Sequence, residues 1–484
     1  MFVFTYNRSK YENEGIDKWM LADLIAKHRA IAFPKMQKCM EYYEGKHAIE
    51  EKERSGENAP NCKPVSNHAK DISDTASGYF MGSPIAYDSK DKDIAKLIEA
   101  FDAAEVDDTD QDNALFQSAC GVAYDYTYVK EGETELATRN LDSRHAFMVY
   151  DDTIERRELF GVYYDVVRDD IHNTDRFEAL VCNDTELIEY TLYPTNNGTE
   201  EDAAKLSTEG KHTPHNLGYI PITEYQNNKF GIGDFESQIG LIDAYNTLMA
   251  DRINDKEQFI DSILVLYGAV LGDDGEETDA AQEDLKKRKL LEMPLGAKAE
   301  YLNRTLDETS VETLRHALKE DIYTLSHVPN LTDEHFAGNS SGVAMEYKLL
   351  GLEMLTKVKE RYYRKGLRKR IKMFCHFLNL KSIEIDAGAV TPTFSRSLPK
   401  NLMEIAQMIN LLGGSVSQKT LIKLLPFVED PDEEIKAVEE ENQKKIEMQK
   451  KMFEDQEPGS ENTPPEGEIS PETDEEPQGD ELDE

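Results

Sequence analysis

The chain has 484 residues, with 55 Lys and Arg against 96 Asp and Glu, and a formal net charge of −41. Hydrophobic residues make up 39% and charged residues 31%, which excludes collagen-like, purely coiled-coil and wholly disordered chains. The negative excess also argues against a tight nucleic-acid binder, because affinity for phosphates requires Lys and Arg.

The first residues lack the basic and small-residue features of a signal peptide. The longest apolar run, Ile263–Leu271, is about half of a membrane span. Five cysteines are scattered without Cys-x-x-Cys spacing, which suits a reducing compartment and disfavours disulfides or a zinc site. We therefore expect a soluble protein that is made inside a cell and has no membrane partner.

The first third of the chain predicts helices followed by a sheet. From Gly121 to Leu192 the hydrophobic period is two and Tyr, Val and Thr are frequent, which predicts antiparallel strands. Thr195–Thr213 is predicted to be a polar connection. Apolar spacing and flanking turn residues predict helices over Ile16–His28, Pro34–Tyr43, His68–Met81, Ile94–Phe101 and Asp110–Cys120.

In the middle of the chain, two amphipathic helices flank a small insert. Apolar residues at steps of three and four predict the first helix over Asp234–Asp261. Thr309 and Glu312 have the spacing of a capping box that opens the second helix, which ends before Pro329. The insert between them has the pattern of a short strand followed by a helix over Thr278–Lys289.

A polar loop, Asn330–Gly342, separates these helices from a third one predicted over Val343–Leu380. At 1.5 Å per residue this helix is about 57 Å long. The two preceding helices together with a third of this length exceed what a compact domain usually contains, so their ends are expected to project and to favour a multi-subunit assembly. Strands are predicted at Ser83–Asp88 and Val390–Arg396.

The C-terminal region predicts short helices and then an acidic tail. Leu402–Leu412 and Thr420–Leu425 are predicted helices, and a further helix begins at Pro431. From Met452 to Glu484 there are fourteen Asp and Glu, five Pro and no Lys or Arg. Such a segment cannot bury enough apolar surface to order itself, so we predict disorder.

Catalytic motifs are weak. Gly338–Gly342 matches the Gly-x-Ser-x-Gly pattern around Ser340, but the buried strand that a nucleophile elbow requires before the serine is missing. The sequence contains no phosphate-binding loop, no complete dinucleotide motif and no metal-loop spacing. We therefore predict that the protein is not an enzyme and has no catalytic residue, cofactor or metal ligand.

One basic concentration stands out in this acidic chain. Lys357–Lys372 holds nine Lys and Arg and a single acid, Glu360. Two interpretations remain open: a solvated helix face that pairs with acidic neighbours, or a face presented to nucleic acid or to another subunit. The residues we predict at a subunit interface are Arg361, Arg364, Lys365 and Arg368.

Five blocks along the chain carry a family resemblance: Gly78–Ile85, Leu217–Lys229, Gly233–Asn246, Asn254–Phe259 and Thr391–Asn401. Together they resemble the portal proteins of long-tailed double-stranded DNA phages of Gram-positive hosts, in the order expected for that family over about residues 15–440. The agreement of several unrelated blocks makes the resemblance more specific than one short motif.

The resemblance implies an α+β, mainly helical portal fold that forms a ring of about twelve subunits at a capsid vertex. Double-stranded DNA would be packaged through the ring by the terminase and later ejected. The implied parts are a wing (1–233 and 343–398), two stem helices (234–261 and 305–326), a clip (262–304), a tunnel loop (327–342), a crown (399–452) and the acidic tail (453–484).

The implied partners are double-stranded DNA, the terminase large subunit, head-completion or adaptor proteins, and the major capsid and scaffolding proteins. The protein is expected in the virion, and in the host cytoplasm during assembly. The DNA-facing loop residues that the resemblance implies are Asn330, Thr332, Glu334, His335, Asn339, Ser340 and Ser341. The implied terminase- and connector-contacting residues of the clip are Asp273, Asp274, Glu276, Glu277, Lys286, Lys287 and Arg288.

Two alternatives remain open. An acidic scaffolding or adaptor protein that never forms a ring shares the tail and the charge, and a serine hydrolase would require Ser340. The acidity itself fits a conduit, because DNA has to slide through the ring and an attractive wall would hold it.

Overall fold

The computed structural model describes residues 3–53, 60–89, 93–130, 132–170, 174–193, 207–260, 263–267, 295–302, 308–331, 342–396, 402–422, 424–425, 428 and 431–454. The chain divides into two compact units, residues 1–398 and residues 399–484. No helix among the described residues is both long enough and apolar enough to cross a bilayer.

The first unit is α+β. Its α-helices are α1 (Arg8–Glu14), α2 (Lys18–Glu44), α3 (His68–Met81), α4 (Ala95–Ala103), α5 (Val106–Cys120), α6 (Ile239–Ile260), α7 (Glu308–Ser326) and α8 (Gly342–Leu380). Its strands are β1 (Phe4–Tyr6), β2 (Ala86–Ser89), β3 (Val122–Val129), β4 (Leu136–Leu141), β5 (Ala146–Asp151), β6 (Glu158–Asp169), β7 (Thr174–Cys182), β8 (Glu186–Leu192), β9 (Thr208–Pro214), β10 (Ile222–Gln226), β11 (Ile263–Tyr267), β12 (Lys298–Leu302) and β13 (Val390–Thr393).

The largest sheet has six strands in the order β1-β5-β6-β7-β8-β9. The antiparallel sheet predicted between Gly121 and Leu192 is confirmed in β5–β8. Two further strands extend it: β1 pairs in parallel with β5, with Phe4 opposite Val149, and β9 pairs with β8. The prediction that Thr195–Thr213 is only a connection is therefore wrong over β9, whose strand of mostly exposed polar residues has no apolar alternation to reveal it.

A smaller sheet, β10-β3-β4, lies beside α5 and α8 in the middle of the unit. The first residues of its central strand β3 are buried, with Val122, Ala123 and Tyr124 all at most 3% exposed. Helix α8 packs against β10, so the long helix is attached to this sheet. The strands predicted at Ser83–Asp88 and Val390–Arg396 are confirmed as β2 and β13, and they pair antiparallel across about three hundred residues of chain.

Two predictions about helix ends are wrong. The two helices predicted over Ile16–His28 and Pro34–Tyr43 are one continuous helix, α2 (Lys18–Glu44), with Pro34 inside it. Buried residues on both sides of the proline, Ile25 before it and Met36 and Cys39 after it, hold the helix together although Pro cannot donate its backbone hydrogen bond. Helix α7 begins at Glu308, so Thr309 lies inside the helix and does not cap it.

Other helix predictions are confirmed. Helix α3 spans His68–Met81, and the side chain of Asn67 caps it by accepting a hydrogen bond from the backbone N–H of Lys70. The long helix α8 runs without interruption for 39 residues. The second unit contains α9 (Leu402–Leu412), α10 (Gln418–Ile422) and α11 (Pro431–Glu454). The predicted acidic tail lies outside the described residues beyond Glu454.

Candidate functional site

Helices α6 and α7 form a pair that is held by a cluster of charges. Arg252 on α6 donates hydrogen bonds to Glu312 (2.6 Å) and to Glu308 (2.9 Å) on α7. Arg315 donates to the same Glu312 carboxylate, and Lys256 lies 3.0 Å from Glu308. The hydrogen bonds from Arg315 and then Arg252 lower the pKa of Glu312 to about 2. The carboxylate predicted to close a capping box instead joins the two helices.

The base of the pair is fixed to the body of the unit by two buried asparagines on α6. Asn246 accepts a hydrogen bond from the backbone N–H of Ser66 (2.9 Å), and its amide lies 2.8 Å from His47 Nδ1. Asn254 accepts from the backbone N–H of Cys62 (2.7 Å) and donates to the carbonyl of the same residue. Both amides are at most 1% exposed. The helix pair is therefore anchored to the segment that precedes α3.

Helix α7 makes a second attachment through Tyr323. The hydroxyl of Tyr323 donates a 2.7 Å hydrogen bond to Asp71 on α3 and lies 3.1 Å from His68 Nδ1. The ring of His68 packs edge-on against Tyr245 of α6. One histidine thus contacts both helices of the pair where they meet the body.

Beyond these attachments the pair continues into a two-stranded ribbon. Strands β11 and β12 are antiparallel, with Ile263 opposite Leu302 and Tyr267 opposite Lys298. The short strand predicted at the start of the insert is therefore confirmed as β11. The predicted clip residues, Asp273 to Arg288, and the predicted helix Thr278–Lys289 lie outside the described residues.

The predicted tunnel-loop residues fall on the segment between α7 and α8. Asn330 is half-buried just after α7. Thr332, Glu334, His335, Asn339, Ser340 and Ser341 lie outside the described residues, so the Gly-x-Ser-x-Gly serine does too. Among the residues that the structure describes, no group of three His, Cys, Asp or Glu side chains could hold a metal ion.

The basic run on α8 divides between the core and the surface. Lys359 is 1% exposed and forms an ion pair with Asp234, which also accepts hydrogen bonds from Ser118 (2.5 Å) and Asn227 (2.9 Å). Asp234 precedes α6, so this pair joins the long helix to the start of the helix pair. From the sequence, Lys359 was expected with the exposed basic residues, because a lysine usually lies at the surface.

Arg370 forms a second buried ionic centre. Its guanidinium donates to both oxygens of Asp110 (2.6 and 2.7 Å) and to Asp125 (3.0 Å). Tyr363 donates to Asp110 (2.5 Å), and Tyr225 donates to Asp125 (2.7 Å). Burial raises the pKa of Asp125 although the guanidinium lies beside it. This centre ties α8, α5 and the small sheet together.

Gly366 lets the helix approach the sheet closely. A Cβ atom at this position would lie 2.4 Å from Cε1 of Tyr225 and 3.0 Å from the carbonyl oxygen of Glu224. Nearby, Lys369 donates to the carbonyl of Ile222 (2.8 Å) and forms an ion pair with Glu158. Helix α8 therefore packs closely against β10 because Gly366 has no side chain, and direct hydrogen bonds also join the two elements.

Three of the four predicted interface residues are exposed. Arg361, Lys365 and Arg368 all lie on the surface of α8, and Lys365 Nζ lies 4.8 Å from the ring of Tyr362. Arg364 is half-buried, with its guanidinium 5.3 Å from the ring of Phe394. The structure thus brings three of these side chains to one open face and turns the fourth toward its own unit.

Two cavities lie beside Glu224 on β10, one of about 150 Å³ and one of about 420 Å³. Glu224 accepts hydrogen bonds from Gln226 (2.5 Å) and Tyr150 (3.1 Å). Burial raises the pKa of its carboxyl to about 7. No sequence signal identified this residue, because an acid in a strand of alternating polarity is ordinarily placed on the exposed face.

Residues 22–448 match the family described as "Phage portal protein, SPP1 Gp6-like". The portal protein of Bacillus phage SPP1 is 23% identical over 459 residues, which cover 91% of this chain and 89% of that protein. The portal protein of Clostridium phage phiCD119 is 22% identical over 396 residues, which cover 78% of this chain and 84% of that protein. A chain from the solved structure "Neck of native GTA particle computed with C12 symmetry" is 10% identical, with a TM-score of 0.44, and covers 74% of this chain and 91% of its own length.

The family resemblance carried by the five sequence blocks is confirmed by these matches. Both named relatives are portal proteins, and each alignment covers most of both chains. Because the family match spans most of its length, the chain belongs to the SPP1 Gp6-like family of phage portal proteins.

Proposed function

We propose that about twelve copies of this chain form a ring at the portal vertex of a phage capsid, and that double-stranded DNA is packaged and later ejected through the ring. The observation that carries the proposal is the family match over residues 22–448. The rigid attachment of α6 and α7 to the body supports it, because a wall around a moving duplex has to keep its shape.

In this proposal each part of the chain has a place in the ring. Residues 1–233 and 343–398 form the wing, and residues 234–261 and 305–326 form the stem. Residues 262–304 form the clip, residues 327–342 the tunnel loop and residues 399–452 the crown. The Arg252–Glu312 cluster and the two anchoring asparagines would hold the stem helices at a fixed angle to the wing.

The clip is the proposed docking site for the terminase large subunit during packaging, and for head-completion or adaptor proteins afterwards. Its residues from Asp273 to Arg288 carry both signs of charge, which suits successive partners that bind and leave. Major capsid and scaffolding proteins are the proposed neighbours of the wing in the virion and, during assembly, in the host cytoplasm. None of these roles needs catalysis by the chain.

The charge of the chain suits a conduit. Twelve copies would carry about −490 formal charges, a field that opposes the adhesion of DNA to the wall. Asn330 and the other proposed tunnel-loop residues would make weak contacts that do not depend on base sequence. The ring would then guide DNA without holding it.

The first test is the mass and shape of the purified full chain. Native mass spectrometry is expected to show a species of about 660 kDa for twelve copies of the 55.1 kDa chain. Negative-stain images are expected to show rings with a central channel. Monomers or irregular aggregates under all assembly conditions would favour the non-ring scaffolding or adaptor alternative.

The second test concerns the loop. Deleting part of Asn330–Ser340 is expected to leave ring mass unchanged and to reduce DNA packaging in an assembly reaction with capsids and terminase. A deletion of matched length in the acidic tail is the control. Normal packaging by the loop-deleted ring would contradict the proposed role of the loop.

A further inference from the structure

One face of the long helix α8 is exposed along most of its length. In its N-terminal half this face carries four large apolar side chains at steps of three and four residues. Tyr347 is 74% exposed, Leu350 52%, Met354 63% and Val358 41%. Isolated apolar residues are common on protein surfaces, but four on successive turns of one helix form a continuous patch that is typical of a docking surface.

The same face continues as a basic surface. Arg361, Lys365, Arg368 and Lys372 follow Val358 at steps of three and four residues, and all four are exposed. At 1.5 Å per residue the distance from Tyr347 to Lys372 is about 38 Å. We call these eight residues the α8 stripe. The opposite face of the helix is buried through Leu352, Tyr363, Leu367 and Phe374.

An acidic face lies elsewhere on the same unit, on the end of α4, the residue that precedes α5, and α5 itself. Asp102, Glu105, Asp108 and Asp112 are exposed, and within the described part of the chain none of them has an ion-pair partner. Partial burial and the neighbouring Asp108 raise the pKa of Asp112. We call these four residues the α5 acidic face. Its charge is opposite to that of the basic half of the α8 stripe.

The two surfaces point away from each other. Arg370 of α8 and Asp110 of α5 form a buried ion pair between the two helices. Because successive helical residues are rotated by about 100°, residues two positions away lie on the opposite side of each helix. Arg368 therefore faces away from α5, and Asp108 faces away from α8. The basic half of the α8 stripe and the part of the α5 acidic face formed by Asp108 and Asp112 lie on opposite sides of this ion pair.

This arrangement suits a contact between copies of the chain that repeats head to tail. Such a contact joins two different patches on nearly opposite sides of each copy, and it closes into a ring when the rotation between successive copies divides a full turn, about 30° for twelve copies. We propose that the α8 stripe of one copy binds the α5 acidic face of the next copy, and that the apolar half of the stripe is covered by that same neighbour. The inference rests on the proposed ring and names the surfaces that close it.

Paired cysteines test the contact directly. In a Cys62→Ser background, which removes the native thiol that is not buried, the full chain would carry Arg368→Cys together with Asp108→Cys. Oxidation is expected to give a ladder of covalent oligomers up to the closed ring on a non-reducing gel. Each single-cysteine variant is the control and is expected to stay monomeric on that gel. A double variant that forms rings but gives no ladder would overturn the proposal.

Charge exchange provides a second test. Lys365→Glu with Arg368→Glu, and separately Asp108→Lys with Asp112→Lys, are each expected to reduce the ring fraction about tenfold or more in native mass spectrometry, because like charges would then face each other. Combining all four substitutions in one chain is expected to restore rings. Reversing two exposed lysines elsewhere, Lys211→Glu with Lys229→Glu, is the matched control.

The outcomes separate the two levels of the proposal. A wild-type chain that never forms rings would contradict the proposed function. If the wild-type chain forms rings and both charge-reversed variants form them equally well, the proposed contact is wrong but the proposed ring stands. Rings that persist in the Lys365→Glu/Arg368→Glu variant while binding to duplex DNA is lost would assign the α8 stripe to nucleic acid instead.

Discussion

Arg370 on α8 donates two hydrogen bonds, 2.6 and 2.7 Å long, to the two carboxylate oxygens of Asp110 on α5, although 260 positions separate the residues in the chain. Neither side chain is exposed to any appreciable degree. Two acids, Asp110 and Asp125, thus depend on one guanidinium for charge compensation in the core. One side of the long helix α8 is therefore part of the core, and its other side is exposed.

Removing the guanidinium is expected to be severe. Arg370→Met leaves Asp110 and Asp125 buried without a cation, which typically costs about 3–5 kcal/mol in the free energy of unfolding. Arg139→Met, at an exposed position on β4 outside the proposed subunit contact, is the control and is expected to change it by less than about 0.5 kcal/mol. Urea unfolding of the purified chains measures both. Equal stabilities of the two variants would contradict the structural role of Arg370.

The close contact at Gly366 predicts a steric effect. Gly366→Ala places a Cβ atom against the ring of Tyr225 and is expected to lower the free energy of unfolding by about 1–3 kcal/mol. Gly240→Ala in α6 is the matched control, because nothing lies within 4 Å of its added Cβ. Since Ala is a better helix former, that variant is expected to be neutral or more stable by up to about 1 kcal/mol.

Glu224 predicts a dependence of stability on pH. Its pKa is about 7 in the folded chain, above its ordinary value, so the folded state binds the extra proton between pH 4.5 and 7. Stability is therefore expected to fall as the pH rises through this window, by up to about 3 kcal/mol. Glu224→Gln removes the buried charge and is expected to raise the unfolding midpoint at pH 8 and to leave it unchanged at pH 4.

Measurements of unfolding at both pH values compare Glu224→Gln with Glu133→Gln, which removes an exposed carboxylate in a turn. The control is expected to follow the wild-type pH profile. A Glu224→Gln variant with the same pH profile as the wild type would mean that this carboxyl does not titrate in the window.

The charge cluster between α6 and α7 predicts local loosening. Arg252→Gln removes the hydrogen bonds to Glu308 and Glu312, so faster amide hydrogen exchange is expected in α6 near residue 252 and in the first turns of α7. Glu257→Gln, on the same helix, is the control. Because the side chains of this cluster are partly exposed, the difference is expected to shrink in 0.5 M salt. Unchanged exchange at low salt would show that packing alone holds the pair.

Sequence periodicity predicted most of the helices and the strand-rich region, because amphipathic spacing and turn residues are local signals. It failed where the signal lies in distant contacts. Pro34 looked like a helix start because its packing against other elements is not visible locally. Lys359 and Arg370 looked like surface charges because their partners, Asp234 and Asp110, lie more than a hundred positions away.

The same limit applies to the candidate site. The basic run on α8 was found from composition. Which of its residues form buried ion pairs and which are exposed depends on the direction in which each residue faces relative to the small sheet, and the sequence does not show this direction. Glu224 and the two anchoring asparagines of α6 gave no signal, since isolated polar residues in an amphipathic pattern are usually exposed. Periodicity alone could not identify the protein family. The resemblance of the five sequence blocks indicated the portal proteins.

The pairing of β2 with β13 and of Asp110 with Arg370 also sets an order in protein synthesis. A ribosome that has finished α5 still needs about 13–50 s to reach Arg370 at ordinary elongation rates. Until then Asp110 and Asp125 have no cation to compensate their charge, and strand β2 has no partner strand. A chain truncated before α8 therefore cannot complete this core, and we expect translation products that end before α8 to be excluded from particle assembly.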